Sequence, residues 1–348
     1  MQAIRLHPAP SSSNPYSPSN PAPPSALHLD SNIPIPEPSK PGDLLIRIKA
    51  TSIIRDALTW PETYHSEYTI PGNDFAGTVE KIFAGDKGSK FKVGDEVFGM
   101  THADRPRTWA EYAIVGEDEI ALKPGNLTWE EAAAIPLSAL TAFEALYVHA
   151  GVSVPDGVDY DGAKHERSSE PSSRKPRILI TGASGGVGIY LVQLARFSDL
   201  EVIAASSSNS RNETFLKDLG ADQTAEYVSF KELPGDFDII IDTVGGDILS
   251  SCWSLVGSTG TLITVDSMSF NFVDEHKKLG LSAGKEGVKA QFFIVSGGHK
   301  ALHVLAELVE RKQVKPFVVD TFPLAEAGLA YGKASTKSGG YGKVILTV

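Results

Sequence analysis

The sequence holds a single cysteine, Cys252, among 348 residues. One thiol closes no intramolecular disulfide and falls short of the thiolates of a structural zinc site, so a reducing, intracellular setting is expected. No apolar run approaches the roughly 18–20 residues of a membrane helix. The opening "MQAIRLHPAPSSSNP" has no apolar stretch of the secretory kind, so a cytoplasmic protein with no membrane association is expected. Basic charge is also short: 32 Lys and Arg face 43 Asp and Glu, a formal net charge of −11. A nucleic-acid partner demands a basic face, so that class is set aside. An anionic cofactor must instead be held by local amides and one or two cations.

What is present divides the chain in two, as its length leads one to expect. Short strands, "QAIRL", "DLLIRIKA", "FAGTVEKIF", "DEVFGM" and "AEYAIV", fill the front third and are parted by Gly, Asp and Pro turns. They predict a small barrel-like β domain over 1–127. Between the first two lies the Pro/Ser/Asn tract His7–Pro24, too polar for a core and read as an enlarged hairpin loop. Thr128 and Glu131 form a capping-box pattern that starts a helix. From Arg177 near-continuous apolar strands alternate with helices, which predicts a parallel sheet covered on both faces, over 128–315. A polar stretch at 154–176 reads as a surface loop. The tail, 316–348, ends in a strand expected to rejoin the first domain.

The chemistry-bearing motif is "TGASGGVG", Thr181–Gly188. Ala183, Gly185 and Gly188 occupy the three small-residue positions of a dinucleotide turn, with Ser184, Gly186 and Val187 supplying further backbone. Small residues are needed there because main-chain amides and a helix N-terminus must approach a pyrophosphate. The motif follows a strand and opens a helix, the context that gives it weight. An NAD-binding unit places an acid about twenty residues on. Here the strand end reads "IAASSSNSR", with hydroxyls at Ser206, Ser207 and Ser208 and a cation at Arg211. That composition favours NADPH, whose 2′-phosphate takes such donors. Arg211 also reads as a solvated helix residue.

These motifs, with "PGNDFAGTV", "FKVGDEVFGM", "AAAIPLSALTAFEAL", "LGAD", "IIDTVGG", "GTLITV" and "GKVILTV" in order, resemble the medium-chain dehydrogenase/reductase superfamily. The closest likeness is to its zinc-free, quinone oxidoreductase-like (zeta-crystallin-like) branch, and it covers essentially the whole chain. The resemblance implies an α/β fold, a GroES-like β-barrel domain plus a doubly wound Rossmann domain, with the active site in the cleft between them. Zinc-type relatives carry Gly-His-Glu where this chain has Gly72-Asn73-Asp74, and its nine histidines show no paired ligand spacing, so no metal is expected. What is implied instead is metal-free hydride transfer from NADPH to a quinone or an activated C=C bond, an enone or alkenal.

The resemblance also names residues. Tyr64 stands eight positions after Asp56, the spacing of a family tyrosine that serves the proton step, although "SIIRD" departs from the usual Asn-Pro; a packed surface tyrosine is the other reading. Thr141 matches a threonine near the nicotinamide, or plain packing. Tyr227 matches a contact to the 2′-phosphate. Val244 and Val265 lie at strand ends, and Phe293 and Ile294 match a stretch that meets the carboxamide and also forms dimer contacts. Lys343 matches a lysine near the cofactor phosphates or ribose, or a surface lysine. A homodimer acting on a small electrophile is the leading expectation. The rivals are a trans-acting enoyl reductase on a carrier-bound acyl or polyketide chain, docked by the Pro/Ser tract or the polar loop to a synthase partner, and an NADPH-binding protein with little turnover.

Overall fold

The computed structural model describes residues 1–11, 13–83, 85, 88–105, 107–155, 160, 174–336 and 340–348. Most of the polar loop expected at 154–176 lies outside the described residues.

The chain opens with a hairpin of β1 (Ala3–Leu6) and β2 (Leu27–Asp30), paired from Ala3↔Asp30 to Leu6↔Leu27. The Pro/Ser tract is the loop of this hairpin, so its far strand is "LHLD", which the sequence pattern did not single out. The tract is not wholly solvated: Ala22 is buried and Tyr16 packs on an apolar cluster with Leu6, Leu58, Trp109 and Tyr331. Then come β3 (Asp43–Ser52), β4 (Asp74–Ile82), β5 (Glu96–Met100), β6 (Tyr112–Gly116) and β7 (Ile120–Leu122). Leu44, Ile46, Phe75, Val79, Val97 and Val115 alternate along them into a second core. Helix α1 (Trp129–Ala133) carries the expected capping box: Thr128 Oγ1 accepts from Glu131 N at 3.2 Å, and Glu131 Oε2 from Thr128 N at 2.9 Å. Pro136 lacks an amide hydrogen, and the helical run restarts there as α2 (Pro136–Phe143), followed by a π-helical turn, Glu144–His149.

The next six strands are β8 (Arg177–Ile180), β9 (Glu201–Ser206), β10 (Gln223–Glu226), β11 (Phe237–Asp242), β12 (Val256–Thr264) and β13 (Lys289–Phe292). All pair in parallel, in the order β10-β9-β8-β11-β12-β13. This is the doubly wound order of dinucleotide-binding domains. Between them run α3 (Gly188–Phe197), α4 (Asn209–Leu219), α5 (Gly246–Leu255) and α6 (Phe272–Lys278). In this layer Trp253 Nε1 donates to His276 Nδ1 at 2.8 Å, and burial holds the imidazole below its ordinary pKa of 6.5. The unfolded chain therefore protonates first. Its contribution to stability is full above about pH 6.5 and is lost as pH falls below it. The drop in melting temperature between pH 7.5 and 5.5 is expected to be smaller in His276→Gln, whose amide keeps an acceptor for Trp253.

The chain then forms α7 (His299–Glu310), β14 (Val318–Pro323), α8 (Ala327–Ser335) and β15 (Lys343–Thr347). β15 pairs antiparallel with β3, giving a sheet β14-β15-β3-β4-β5-β7, with β6 also on β3. The compact units are residues 1–137 with 296–348, and 138–295. The sequence pattern sets the divisions at 127/128 and 315/316. The difference is α1, which packs on β3 and β4, and α7, which packs on β7.

Candidate functional site

In the second unit the turn after β8 is built around glycines. Gly182 has φ +63, and a Cβ there meets Thr243 Oγ1 at 2.1 Å; the sequence reading passed over this residue in favour of Ala183. Ala183 is buried, with its amide on Ala205 O at 3.0 Å. A Cβ on Gly188 falls 2.2 Å from Gly182 O and 2.6 Å from Ala183 Cα, so α3 packs this close to the turn only with glycine there. The first amides of a helix have no intrahelical acceptor, and here they follow Ser184–Val187 at the C-terminal edge of a parallel sheet.

A second device fixes that edge. Asp242, fully buried, accepts from Thr181 Oγ1 at 2.5 Å, Thr264 Oγ1 at 2.8 Å and Gly245 N at 2.9 Å, tying together the ends of β8, β11 and β12. Burial pushes its carboxyl above the usual range, and the hydrogen bonds pull it back. Val244 and Val265 adjoin this knot through Val244 N to Asp242 Oδ1 (3.3 Å) and Val265 N to Asp242 O (3.0 Å). Asp242 and Thr181 went unread because a buried acid inside an apolar strand has no periodic signature.

At the end of β9, Arg211 Nη2 donates to Ser207 Oγ at 3.2 Å, and both residues are exposed. Ser206 is buried and accepts from Asn212 Nδ2 at 3.0 Å, which makes it part of the wall, while Ser208 Oγ pairs with Ser210 Oγ at 2.9 Å. Tyr227 follows β10, and its hydroxyl accepts from Gly182 N at 2.9 Å, joining it to the glycine turn. The structure adds an acid the sequence reading missed: Glu226, on the neighbouring strand, accepts from Asn209 N at 2.5 Å. Beside it, Asn209 Oδ1 is the buried side-chain atom left without a hydrogen-bond partner among the described residues. An orphaned acceptor suits a ribose hydroxyl, so glycine turn, helix terminus and strand-end polar groups together fit a nicotinamide dinucleotide. Thr141 is buried on α2. Phe293 stacks on His149 at 4.1 Å between ring centroids, and Ile294 is 65% exposed.

The first unit places two expected residues differently. Tyr64 donates to Leu58 O, and its oxygen accepts from Ala22 N at 3.0 Å, fastening the Pro/Ser tract to the "RDALTWPETY" loop. Its proton is committed to a main-chain carbonyl, and burial raises its pKa further. This is the packed position that the second reading of Tyr64 gave it, an anchor for the loop. Tyr64→Phe is expected to lower stability by about 1–1.5 kcal/mol in urea unfolding. Turnover is expected to stay nearly unchanged, whereas loss of a general acid costs roughly 100-fold or more.

Lys343 is not a surface lysine. It is buried, with Nζ 3.6 Å from Asp74 Oδ2. Asp74 is fully buried and also accepts from Ser52 Oγ at 2.6 Å and Leu137 N at 2.7 Å, at the start of α2. Burial pushes the acid up and the lysine down, and their mutual attraction opposes both shifts. The family role expected of Lys343 at the phosphates gives way to this pairing. The same contacts bear on whether these residues suit a zinc ion. Asn73 Nδ2 donates to Thr101 Oγ1 at 3.3 Å and His102 O at 3.1 Å, and Asp74 is fully engaged, so the donor set does not suit a metal ion. Among the described residues, no three His, Cys, Asp or Glu side chains gather as ligands, and no helix is long and apolar enough to cross a membrane.

Comparison with known proteins matches residues 40–136 to the family described as "Alcohol dehydrogenase GroES-like domain" and residues 219–346 to "Zinc-binding dehydrogenase". The chain is 33% identical, over 90% of its length and 91% of the relative's, to a "Probable zinc-binding oxidoreductase, mitochondrial" of Arthroderma benhamiae. It is 31% identical to the "2-methylene-furan-3-one reductase" of Solanum lycopersicum, over 88% of this chain and 74% of that one. The fold superimposes on the quinone oxidoreductase of Coxiella burnetii with a TM-score of 0.79 and 25% identity, covering 100% and 99% of the two chains.

Proposed function

Because the chain belongs to the quinone oxidoreductase-like branch of the medium-chain dehydrogenase/reductase superfamily, and is an oxidoreductase of a nicotinamide cofactor, we propose that it uses NADPH to reduce a quinone or an activated C=C bond, without a metal. The observation that carries the cofactor choice is the end of β9, where Arg211 and Ser207 offer a charged fork and a hydroxyl to a 2′-phosphate. Glu226 stands against it, since its charge favours a ribose hydroxyl over a phosphate. The bound nicotinamide supplies the hydride; the protein's part is to hold and orient it and to exclude water. The glycine turn and the start of α3 take the pyrophosphate, Tyr227 steadies the turn, and the main chain at Phe293 and Ile294 meets the carboxamide. Thr141 lies on the nicotinamide side. With Tyr64 committed elsewhere, the proton that completes reduction comes from water.

The relatives frame the substrate class. One is named for a 2-methylene-furan-3-one, a C=C bond conjugated to a carbonyl, and the solved structure for a quinone. Both are planar electrophiles that accept hydride at carbon. A carrier-docked enoyl reductase is the second reading, since the Pro/Ser tract is anchored at Tyr16 and Ala22 and is otherwise largely exposed. A homodimer paired along the edge strand β13, beside exposed Ile294, completes the reading. The buried free thiol of Cys252 suits a reducing compartment, and we place the enzyme in the cytoplasm. Fluorescent fusion imaging against mitochondrial markers decides this, since the Arthroderma relative is named as mitochondrial.

Turnover followed at the nicotinamide absorbance, with NADPH and NADH against quinones, enones and alkenals, tests the proposal. Arg211→Ala is expected to raise the KM for NADPH about tenfold, the value of one charge-assisted hydrogen bond, and to leave NADH untouched. Glu226→Gln is expected to lower the KM for NADPH. Equal loss with both nucleotides removes Arg211 from the 2′-phosphate. Binding without turnover across the panel returns the protein to a non-catalytic role.

A further inference from the structure

We propose that the first unit carries a second ligand site, which binds a small organic monocarboxylate with an apolar body. The site is a cavity of about 410 Å³ lined wholly by residues of that unit, and it shares no residue with the glycine turn. The volume falls in the lower part of the range of small-molecule pockets, roughly 300–1,000 Å³. Ile33, Pro34, Ile70 and Ile114 give it apolar walls, and Tyr68 and Tyr112 add aromatic ones.

Two observations set this cavity apart from an incidental hollow. Tyr68 adopts φ +57, a left-handed conformation that a bulky side chain rarely takes. It is held there from outside: Arg5 Nε donates to Tyr68 O at 3.1 Å, and the Arg5 guanidinium lies 4.5 Å from the Tyr68 ring centroid. The His7 ring meets the same tyrosine edge-on at 5.1 Å. Asp30 ties these two together, 3.2 Å from Arg5 and 3.0 Å from His7. Backbone strain that its surroundings over-determine in this way gathers at ligand clamps. The hairpin β1–β2 thus fixes one wall of the cavity.

The second observation is charge. Arg105 and Arg107 both line the cavity, but they are not equivalent. Arg105 is paired at 2.5 Å with the buried carboxylate of Glu119. The guanidinium of Arg107 has no ion pair or hydrogen bond among the described residues, while its main chain is pinned to Gly72 O at 2.7 Å. An exposed guanidinium without a partner of its own can take one carboxylate as a bidentate pair. Glu62 and Asp104 line the same cavity, and their charge opposes every anion there, a doubly charged phosphate ester or a polyanion more than a monocarboxylate.

The probe is 4-fluorobenzoate, followed by fluorine NMR line broadening on the full chain. Saturable broadening is expected in the wild type and in Arg211→Ala, whose change lies in the other unit. Arg107→Ala is expected to weaken it about tenfold, and Arg107→Lys less. Fluorobenzene, which lacks the carboxylate, and 4-fluorophenyl phosphate are expected to bind more weakly than the benzoate. Melting temperature is the check on folding of the exposed Arg107 variants. No saturable broadening at millimolar probe, equal affinity in Arg107→Ala, or a preference for the phosphate each overturns the site.

Discussion

Gly188→Ala is expected to lower NADPH affinity about 100-fold, equivalent to ~2.7 kcal/mol. The added Cβ meets main chain on both sides, Gly182 O at 2.2 Å and Ala183 Cα at 2.6 Å, so no side chain can rotate out of its way. α3 must retreat from β8, and the amides of its first turn retreat with it. Overpacking of this kind costs about 1–3 kcal/mol, so a lower melting temperature accompanies the loss. Gly185→Ala separates the two effects: its Cβ meets only Gly182 O, at 3.1 Å, a far smaller overlap, so the melting temperature should fall much less. Titration of nicotinamide fluorescence reads the affinity. Unchanged NADPH binding in Gly188→Ala means that the nucleotide sits elsewhere.

The second large effect is expected in the first unit. Lys343→Met removes one member of a buried pair and leaves Asp74 with only Ser52 Oγ and Leu137 N. Breaking such a pair costs about 3–5 kcal/mol, because the remaining charge has lost its partner away from water. Asp74→Asn in the Lys343→Met background is expected to recover most of the loss, since the neutral amide needs no cation. Urea unfolding of the two single variants and the double variant closes the cycle. If Lys343→Met instead weakens NADPH binding and leaves stability intact, the lysine serves the cofactor after all.

The alternation of apolar strands with helices from Arg177 onward was legible, because parallel strands buried on both faces read as near-continuous apolar runs. The capping box at Thr128 was legible for a local reason: both partners lie within four residues. β2 was not, since "LHLD" follows a tract of prolines and has only two apolar residues to alternate. In the site, Ala183, Gly185 and Gly188 were found by spacing, whereas Gly182 matters through its φ and Thr243, sixty-one positions away. Glu226 was missed because it reaches the end of β9 from the adjacent strand. Spacing could not choose between the two readings of Tyr64, because the Ala22 amide bonded to its oxygen sits in the tract read as a hairpin loop. Asp74 and Lys343 come together only when the last strand joins the sheet.

That joining has a consequence for how the protein is made. β15 pairs with β3, and β14 reaches the sheet only through β15. During synthesis β4 and β6 can pair with β3 early, but the β15 partners of Ala50, Thr51 and Ser52 at its end arrive only after nearly 300 further residues are added. The 138–295 unit, continuous in sequence, has all its strands in hand well before then. The first unit waits for its final strand with that short stretch of main chain unpaired, and this is where chaperone dependence and strand-exchange aggregation concentrate.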